Sequence, residues 1–369
     1  MPLKTKIAFV GTDSYAVLNP AYSKEYFGGE AVQQVLLARA FRDAGFDVSM
    51  ICLDYGQPDG ETLEDITVYK THGVDSGLPV IRFLHPRMTL FNSALKRADA
   101  DIYFQSCAGA NTGFVARFCK KYKRKFVFRL ASDTDCIPGA QLIQYYRDRK
   151  IYEYGLRNAD VVSAQSAQQQ LLLENNYSLT SAVINMTCDI PTDDHAVEKT
   201  ADFLWVSNIR QCKRPDLLLD LANATPELSF KAIGGPMNGE EALYDTVVRK
   251  AATIPNLEFL GPVPYHQMSE HFASARAFLN TSDIEGFPNT FLQAWAQKAP
   301  ILSFFDPDGL VQSLSAGIIA TDIEDMITQS SSMLSDSNKI AMMGSNGYKY
   351  VQENYSGDQI VLEYENALA

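Results

Sequence analysis

The chain predicts an α/β fold built from two doubly wound parallel-sheet domains. Three observations carry this. Short apolar runs alternate with helix-patterned segments along the whole sequence. A polar, non-periodic stretch over 189–200, with Pro191 inside it, divides that alternation into two series and reads as a linker. At 369 residues the chain also exceeds what one hydrophobic core usually serves.

In the first series, the apolar run 7–11 ending in Gly11 reads as a buried strand. A loop with Asn19-Pro20 leads to Gly28-Gly29. Residues 31–45 then carry a helical stripe (Val32, Val35, Leu36, Ala40, Phe41) closed by Gly45. A strand over 48–53 completes a parallel β-α-β opening. Further strands are expected at 66–69, 102–107, 126–130, 161–164 and 182–184, with helices including 113–122 and 141–158. The second series places strands at 203–207, 230–233, 257–260, 277–280, 301–304 and 318–320. The last segment, 345–369, has helical character. Ligands of such sheets bind beyond the carboxyl ends of the strands.

Composition narrows the function. A formal net charge of −12 argues against general nucleic-acid binding, which needs a basic surface. No segment approaches the roughly 18 apolar residues of a membrane span. The first residues run straight into a strand, with no visible signal peptide, so a cytoplasmic protein is expected. Six Cys without C-x-x-C spacing read as reduced thiols, and the five His lack metal-site spacing. D-x-D occurs at 99–101, 133–135 and 306–308, three times in one acidic chain, and carries no metal assignment. Asp133 keeps interest because it follows the strand over 126–130.

The most informative stretch is 282–298, SDIEGFPNTFLQAWAQK. The apolar run before it feeds a turn with Glu285, Gly286 and Pro288, and then a helix. Pro288 suits the first helical position, which leaves the N–H groups around Asn289, Thr290 and Phe291 as an anion site. Gln293 follows Asn289 by one turn on the same face, so Glu285 and Gln293 can reach one ligand at the helix mouth. The plain alternative is a β-α connection with a solvated Glu. After the strand over 203–207, Arg210, Lys213 and Arg214 form either a basic solvated loop or a set of cations for a diphosphate leaving group. Gly28-Gly29, Gly234-Gly235 and Gly261-Pro262-Val263 are each either simple turns or places where backbone approaches a phosphate or base. The run Arg117–Arg129 holds seven cations and is either a solvated helix end or a contact for anionic membrane headgroups.

These motifs, in this order, resemble the retaining GT-B glycosyltransferases, and within them glycosyltransferase family 4. Glu285 with Gln293 eight positions on resembles the family's E-x7-E element. The resemblance implies two Rossmann-like domains facing a cleft: an acceptor domain over 1–188, a donor domain over 189–349, and a C-terminal helix, 350–369, returning to the first. It implies that Glu285 lies by the transferred sugar and that position 293 binds the donor ribose. Here that position is an amide, which still bonds hydroxyls. Lys213 matches the family's cationic loop, and Arg210 stands in for an Arg that usually sits where this chain has Asn208. Gly28 and Gly29 match a G-G-x-E element lining the diphosphate. Gly234, Val263, Gly286, Phe287, Pro288, Asn289 and Thr290 fall in donor-binding positions. The family's His after the strand over 126–130 is absent, and Ser132 or Asp133 stands near its place. The expected activity is transfer of a sugar from a nucleotide-diphosphate sugar, a UDP-sugar before GDP-mannose, without a metal, to a saccharide or lipid-linked acceptor. The alternatives are a non-catalytic nucleotide-sugar-binding partner subunit and a sugar-nucleotide 2-epimerase.

Overall fold

The structure, a computed structural model, describes residues 4–22, 28–78, 82–191, 197–237, 239–283 and 287–369. They form two compact units, Met1–Thr187 with Gly357–Ala369, and Cys188–Ser356.

The first unit holds strands β1 (Lys6–Val10), β2 (Asp47–Asp54), β3 (Glu61–Leu63), β4 (Ile66–Gly73), β5 (Ile102–Ser106), β6 (Lys125–Arg129), β7 (Val161–Ala164) and β8 (Ala182–Val183). Its helices are α1 (Tyr15–Leu18), α2 (Gly29–Asp43), α3 (Thr89–Ala98), α4 (Ala110–Tyr122), α5 (Tyr146–Arg157) and α6 (Ala167–Tyr177). The sheet order is β3-β4-β2-β1-β5-β6-β7-β8. All pairings are parallel except β3 with β4, an edge hairpin that the apolar pattern does not signal. Chain order reverses between β1 and β5, which puts a crevice beyond their carboxyl ends.

The second unit holds β9 (Ala201–Val206), β10 (Phe230–Ile233), β11 (Leu257–Gly261), β12 (Ala275–Asn280), β13 (Ile301–Ser303) and β14 (Gly317–Ile319), all parallel. Its helices are α7 (Pro215–Ala224), α8 (Glu241–Ala251), α9 (Tyr265–Ala273), α10 (Asn289–Ala296), α11 (Leu310–Ser313), α12 (Ile323–Ser335) and α13 (Ser337–Asn354). The order β11-β10-β9-β12-β13-β14 reverses between β9 and β12.

The final helix, α14 (Gly357–Leu368), belongs to the first unit and packs on α2. Its anchor is Tyr364, 1% exposed, with ring centroids 5.4 Å from Phe104 and 6.1 Å from Phe41. A fully buried aromatic of this kind contributes on the order of 2–3 kcal/mol. Gly357 allows the close approach, because a Cβ there would stand 2.9 Å from Ala40 Cβ.

Two boundaries differ from the sequence reading. The helix expected over 141–158 begins only at Tyr146. Pro138 precedes Gly139, whose φ is +84°, and Gln141 Oε1 accepts the Gly139 N–H, so a loop forms first. The helical segment at the C-terminus breaks after Asn354, where Tyr355 and Ser356 separate α13 from α14. Residues 189–191 and 197–200 of the expected linker carry no helix or strand, and 192–196 lie outside the described residues. No described helix is long and apolar enough to cross a membrane.

Candidate functional site

In the second unit the loops that carry the candidate residues meet around the β9/β12 reversal. Gly234 lets neighbouring strand ends close up, since a Cβ there would stand about 2.0 Å from the Ser207 carbonyl oxygen. Ser207 N–H donates to the Ile233 carbonyl, Ile209 N–H to that of Gly235, and Gly234 N–H to that of Gly261. The Gly pair therefore has a structural task in aligning three loops. Val263, half-buried, follows Gly261 at φ +70° and precedes the start of α9.

From β9 the chain passes Asn208 into a short 3-10 turn, Gln211–Lys213. Arg214, with φ +49°, then starts α7 ahead of Pro215. The three cations of this loop are not equivalent. Arg214 reaches Asp216 at 2.7 Å and Asp283 at 3.2 Å, and these carboxylates hold its charge firmly on the protein. Arg210 is exposed, with Nε 4.0 Å from Glu240, a carboxylate that also accepts the Gln211 N–H at 2.7 Å. Lys213 is half-buried at the end of the 3-10 turn.

The loop after β12 is tied to this one. Trp205 Nε1–H donates to Thr281 Oγ1 at 2.9 Å, and the Thr281 hydroxyl donates to the Lys213 carbonyl at 2.8 Å. Asp283 N–H donates to the Cys212 carbonyl at 3.0 Å. Neither Trp205 nor Thr281 stood out in the sequence. The signal is the strand order, which makes β9 and β12 neighbours and brings together residues 76 apart.

Glu285 and Gly286, two expected site residues, lie outside the described residues. Beyond them Phe287 packs on Tyr355 with centroids 5.8 Å apart. Pro288 takes the N-cap of α10 and not its first helical position, a correction of one residue. Its carbonyl accepts the Phe291 N–H at 3.0 Å, so that N–H is not available to a ligand. Helix α10 buries Phe291, Leu292, Ala294 and Trp295, which leaves Asn289, Gln293 and Gln297 half-buried along one stripe. Thr290 is half-buried beside it. Lys213 and the mouth of α10 thus border the same strand reversal.

In the first unit, exposed Gly28 caps α2 and Gly29 begins it, at the carboxyl end of β1. Asp133 is exposed after β6. Its D-x-D partner Asp135 is buried and accepts the Ala131 and Ser132 N–H groups, each at 3.1 Å. Burial pushes the Asp135 carboxyl up despite these bonds. Asp133 and Asp135 therefore do not act as a pair. The basic run 117–129 also divides. Arg124 is engaged by Asp99 and Asp101, and Arg129 is buried at the other end of β6. Arg117, Lys120, Lys121, Lys123 and Lys125 remain exposed. Most of them cluster where α4 turns into β6, at the edge of the sheet away from the strands' carboxyl ends.

Residues 190–350 match the family described as Glycosyl transferases group 1. Comparison with curated protein sequences gives no significant match. Among solved structures, the chain is similar to Anabaena HepE in complex with UDP and glucose, at 16% identity, TM-score 0.72 and 99% coverage of both chains. It is similar to sucrose-phosphate synthase from Thermosynechococcus elongatus at 16% identity, TM-score 0.73 and 98% coverage of both. A trehalose-6-phosphate synthase aligns at 13% identity and TM-score 0.70 over 99% of each chain. At these identities the likeness speaks for fold, and the fold is GT-B.

Proposed function

We propose that this chain, with a group 1 glycosyl transferase match over 190–350, is a retaining glycosyltransferase of family 4 type. It takes a nucleotide-diphosphate sugar, a UDP-sugar first, and passes the sugar to a hydroxyl of a saccharide or lipid-linked acceptor. The observation that carries the reading is the bond network joining the Lys213 loop to the loop after β12 at the strand reversal.

In this reading Lys213 and the N-terminus of α10 stabilise the departing diphosphate, with Arg210 in support. Both are fixed before reaction, so little reorganisation accompanies bond breaking. Glu285 orients the sugar or stabilises the cationic transition state, and Gln293 binds the ribose. The acceptor hydroxyl attacks on the face from which the leaving group departs, and the donor phosphate takes its proton. No metal ion is needed for this scheme, and turnover is expected to survive a chelator. The neighbour HepE holds UDP and glucose, which favours UDP-sugars as the first donors to test.

Gln293 in place of an acidic residue favours one second reading, a non-catalytic nucleotide-sugar binder. A donor panel with detection of released nucleotide diphosphate separates the two. Release in the presence of acceptor supports transfer, and binding without release supports the binder.

A further inference from the structure

We propose that Arg129 anchors a subsite in the first unit for an anionic group, a carboxylate or a phosphate monoester. Arg129 ends β6, in register with Ser106 of β5 and Ser163 of β7. Partners opposite each other in a parallel sheet point to one face. That face is covered by two helices. Gln34 Nε2 of α2 donates to Ser106 Oγ at 3.0 Å, and the Tyr364 hydroxyl of α14 donates to Ser163 Oγ at 3.2 Å. The guanidinium therefore sits between two engaged serines and beneath two packed helices.

Arg129 is 3% exposed, yet its Nε and Nη2 donate to nothing among the described residues. No ion pair with it forms among them. Gln34 Oε1, from the helix above, is buried and unpartnered too. Buried polar groups are almost always paired, and buried donors left without partners are costly enough to call for ordered ligand atoms. The Glu30 carboxylate lies close enough to feel the Arg129 charge and accepts Gln34 Nε2–H at 3.1 Å, yet it does not take up these two donors. Two unengaged donors on a planar guanidinium match the two oxygens of a carboxylate or phosphate. A uronic acid or a sugar phosphate supplies such an anion.

The position fits an acceptor. Arg129 lies at the carboxyl end of the sheet, two strands from β1, which the Gly28-Gly29 corner follows. That the anion belongs to the acceptor rests on the transferase reading; that Arg129 binds an anion does not.

Titration calorimetry on the full chain in low-chloride buffer tests this without any turnover, using inorganic phosphate, D-glucuronate and D-glucose. The expected result is saturable binding of phosphate or glucuronate and none of glucose. In Arg129→Gln, folded by circular dichroism, binding should weaken about tenfold or more, with Arg129→Lys between. Should those variants not fold, Ser163→Asp places an internal carboxylate beside the guanidinium and should abolish binding. Absence of saturable binding to the wild type overturns the proposal. So does binding that survives in folded Arg129→Gln or Ser163→Asp, which marks an adventitious ion only. Competition by UDP also overturns it, because the anion would then be the donor's own phosphate.

Discussion

The Thr281 hydroxyl donates to the main-chain carbonyl of Lys213 at 2.8 Å, while accepting the indole N–H of Trp205 at 2.9 Å. Thr281 and Trp205 are both buried, at 0% and 2% exposure. One hydroxyl thus fixes where the end of the Lys213 turn stands relative to the strand ends. Thr281→Val keeps the shape and removes both bonds, at a cost of about 1–3 kcal/mol for the groups left unpaired. Turnover should fall about tenfold, and Thr281→Ser should restore it. Trp205→Phe should lower the melting temperature but spare kcat, because the bond to Lys213 remains. Equal kcat losses in Thr281→Val and Trp205→Phe would reduce Thr281 to a packing residue.

Lys213→Ala should cut kcat/KM by roughly two to three orders of magnitude, the scale for one preorganised electrostatic stabiliser. Arg214→Ala should act mainly on stability, because its guanidinium is already engaged by Asp216 and Asp283. Nucleotide release and thermal melts on both variants make the comparison. A folded Lys213→Ala protein with wild-type kcat/KM would remove Lys213 from the site.

Why the sequence revealed the strands and hid part of the site follows from what each signal reports. Buried parallel strands such as Ile7–Val10 and Phe203–Val206 are continuous apolar runs, so their positions show in one dimension. The β3 hairpin is polar and three residues long, and offers no such run. Cationic positions such as Lys213 are visible by type, but their engagement is not. Arg214 reads like Lys213 in sequence, and its engagement rests on Asp216 two residues on and on Asp283, which comes from the loop after β12 far along the chain. Arg129 reads as one more member of a basic run. Its burial follows from α2 and α14 meeting over one sheet face, a contact set by tertiary packing.

Glu30 gives a pH-dependent prediction. Burial pushes its carboxyl up to about 6, and the Arg129 charge and bonds from Gln34 and Cys107 only partly oppose this. A raised carboxyl favours the neutral form in the folded state. Its ionisation therefore costs nothing below about pH 4.5 and costs the folded state progressively as pH rises through 6. An elevation of this size corresponds to about 2 kcal/mol. Glu30→Gln should accordingly raise the melting temperature at pH 7.5 and lose most of that advantage at pH 5. A stabilisation independent of pH would show that Glu30 is not held in this way.

The exposed cluster of Arg117, Lys120, Lys121, Lys123 and Lys125 defines a membrane test. Each near-surface cation contributes roughly 1 kcal/mol on an anionic bilayer, an attraction that salt screens. Vesicle sedimentation should show binding to anionic but not neutral lipid, falling steeply with salt. Lys120→Glu with Lys121→Glu should weaken it further. Arg124→Glu should matter less, because Asp99 and Asp101 already neutralise that side chain. Equal binding to neutral and anionic vesicles would leave the cluster as a solvated helix end.

Glu285 and Gln293 carry the last prediction, which separates binding from chemistry. The buried face of α10 is fixed by Phe291, Leu292, Ala294 and Trp295, so Gln293 has its place on the half-buried stripe with Asn289. A ribose hydroxyl bound there changes little during transfer. Its loss in Gln293→Ala should mainly raise donor KM, by about 1 kcal/mol or somewhat more, with kcat nearly kept. Gln293→Glu should be tolerated, because a carboxylate also accepts from ribose hydroxyls. Glu285, assigned to the sugar, meets positive charge only as the bond breaks. Glu285→Gln removes the charge and keeps the shape, so kcat should fall far more than donor KM rises. Initial rates over a donor series decide the matter. Reversed phenotypes, or wild-type transfer by Glu285→Gln, would exclude these two roles.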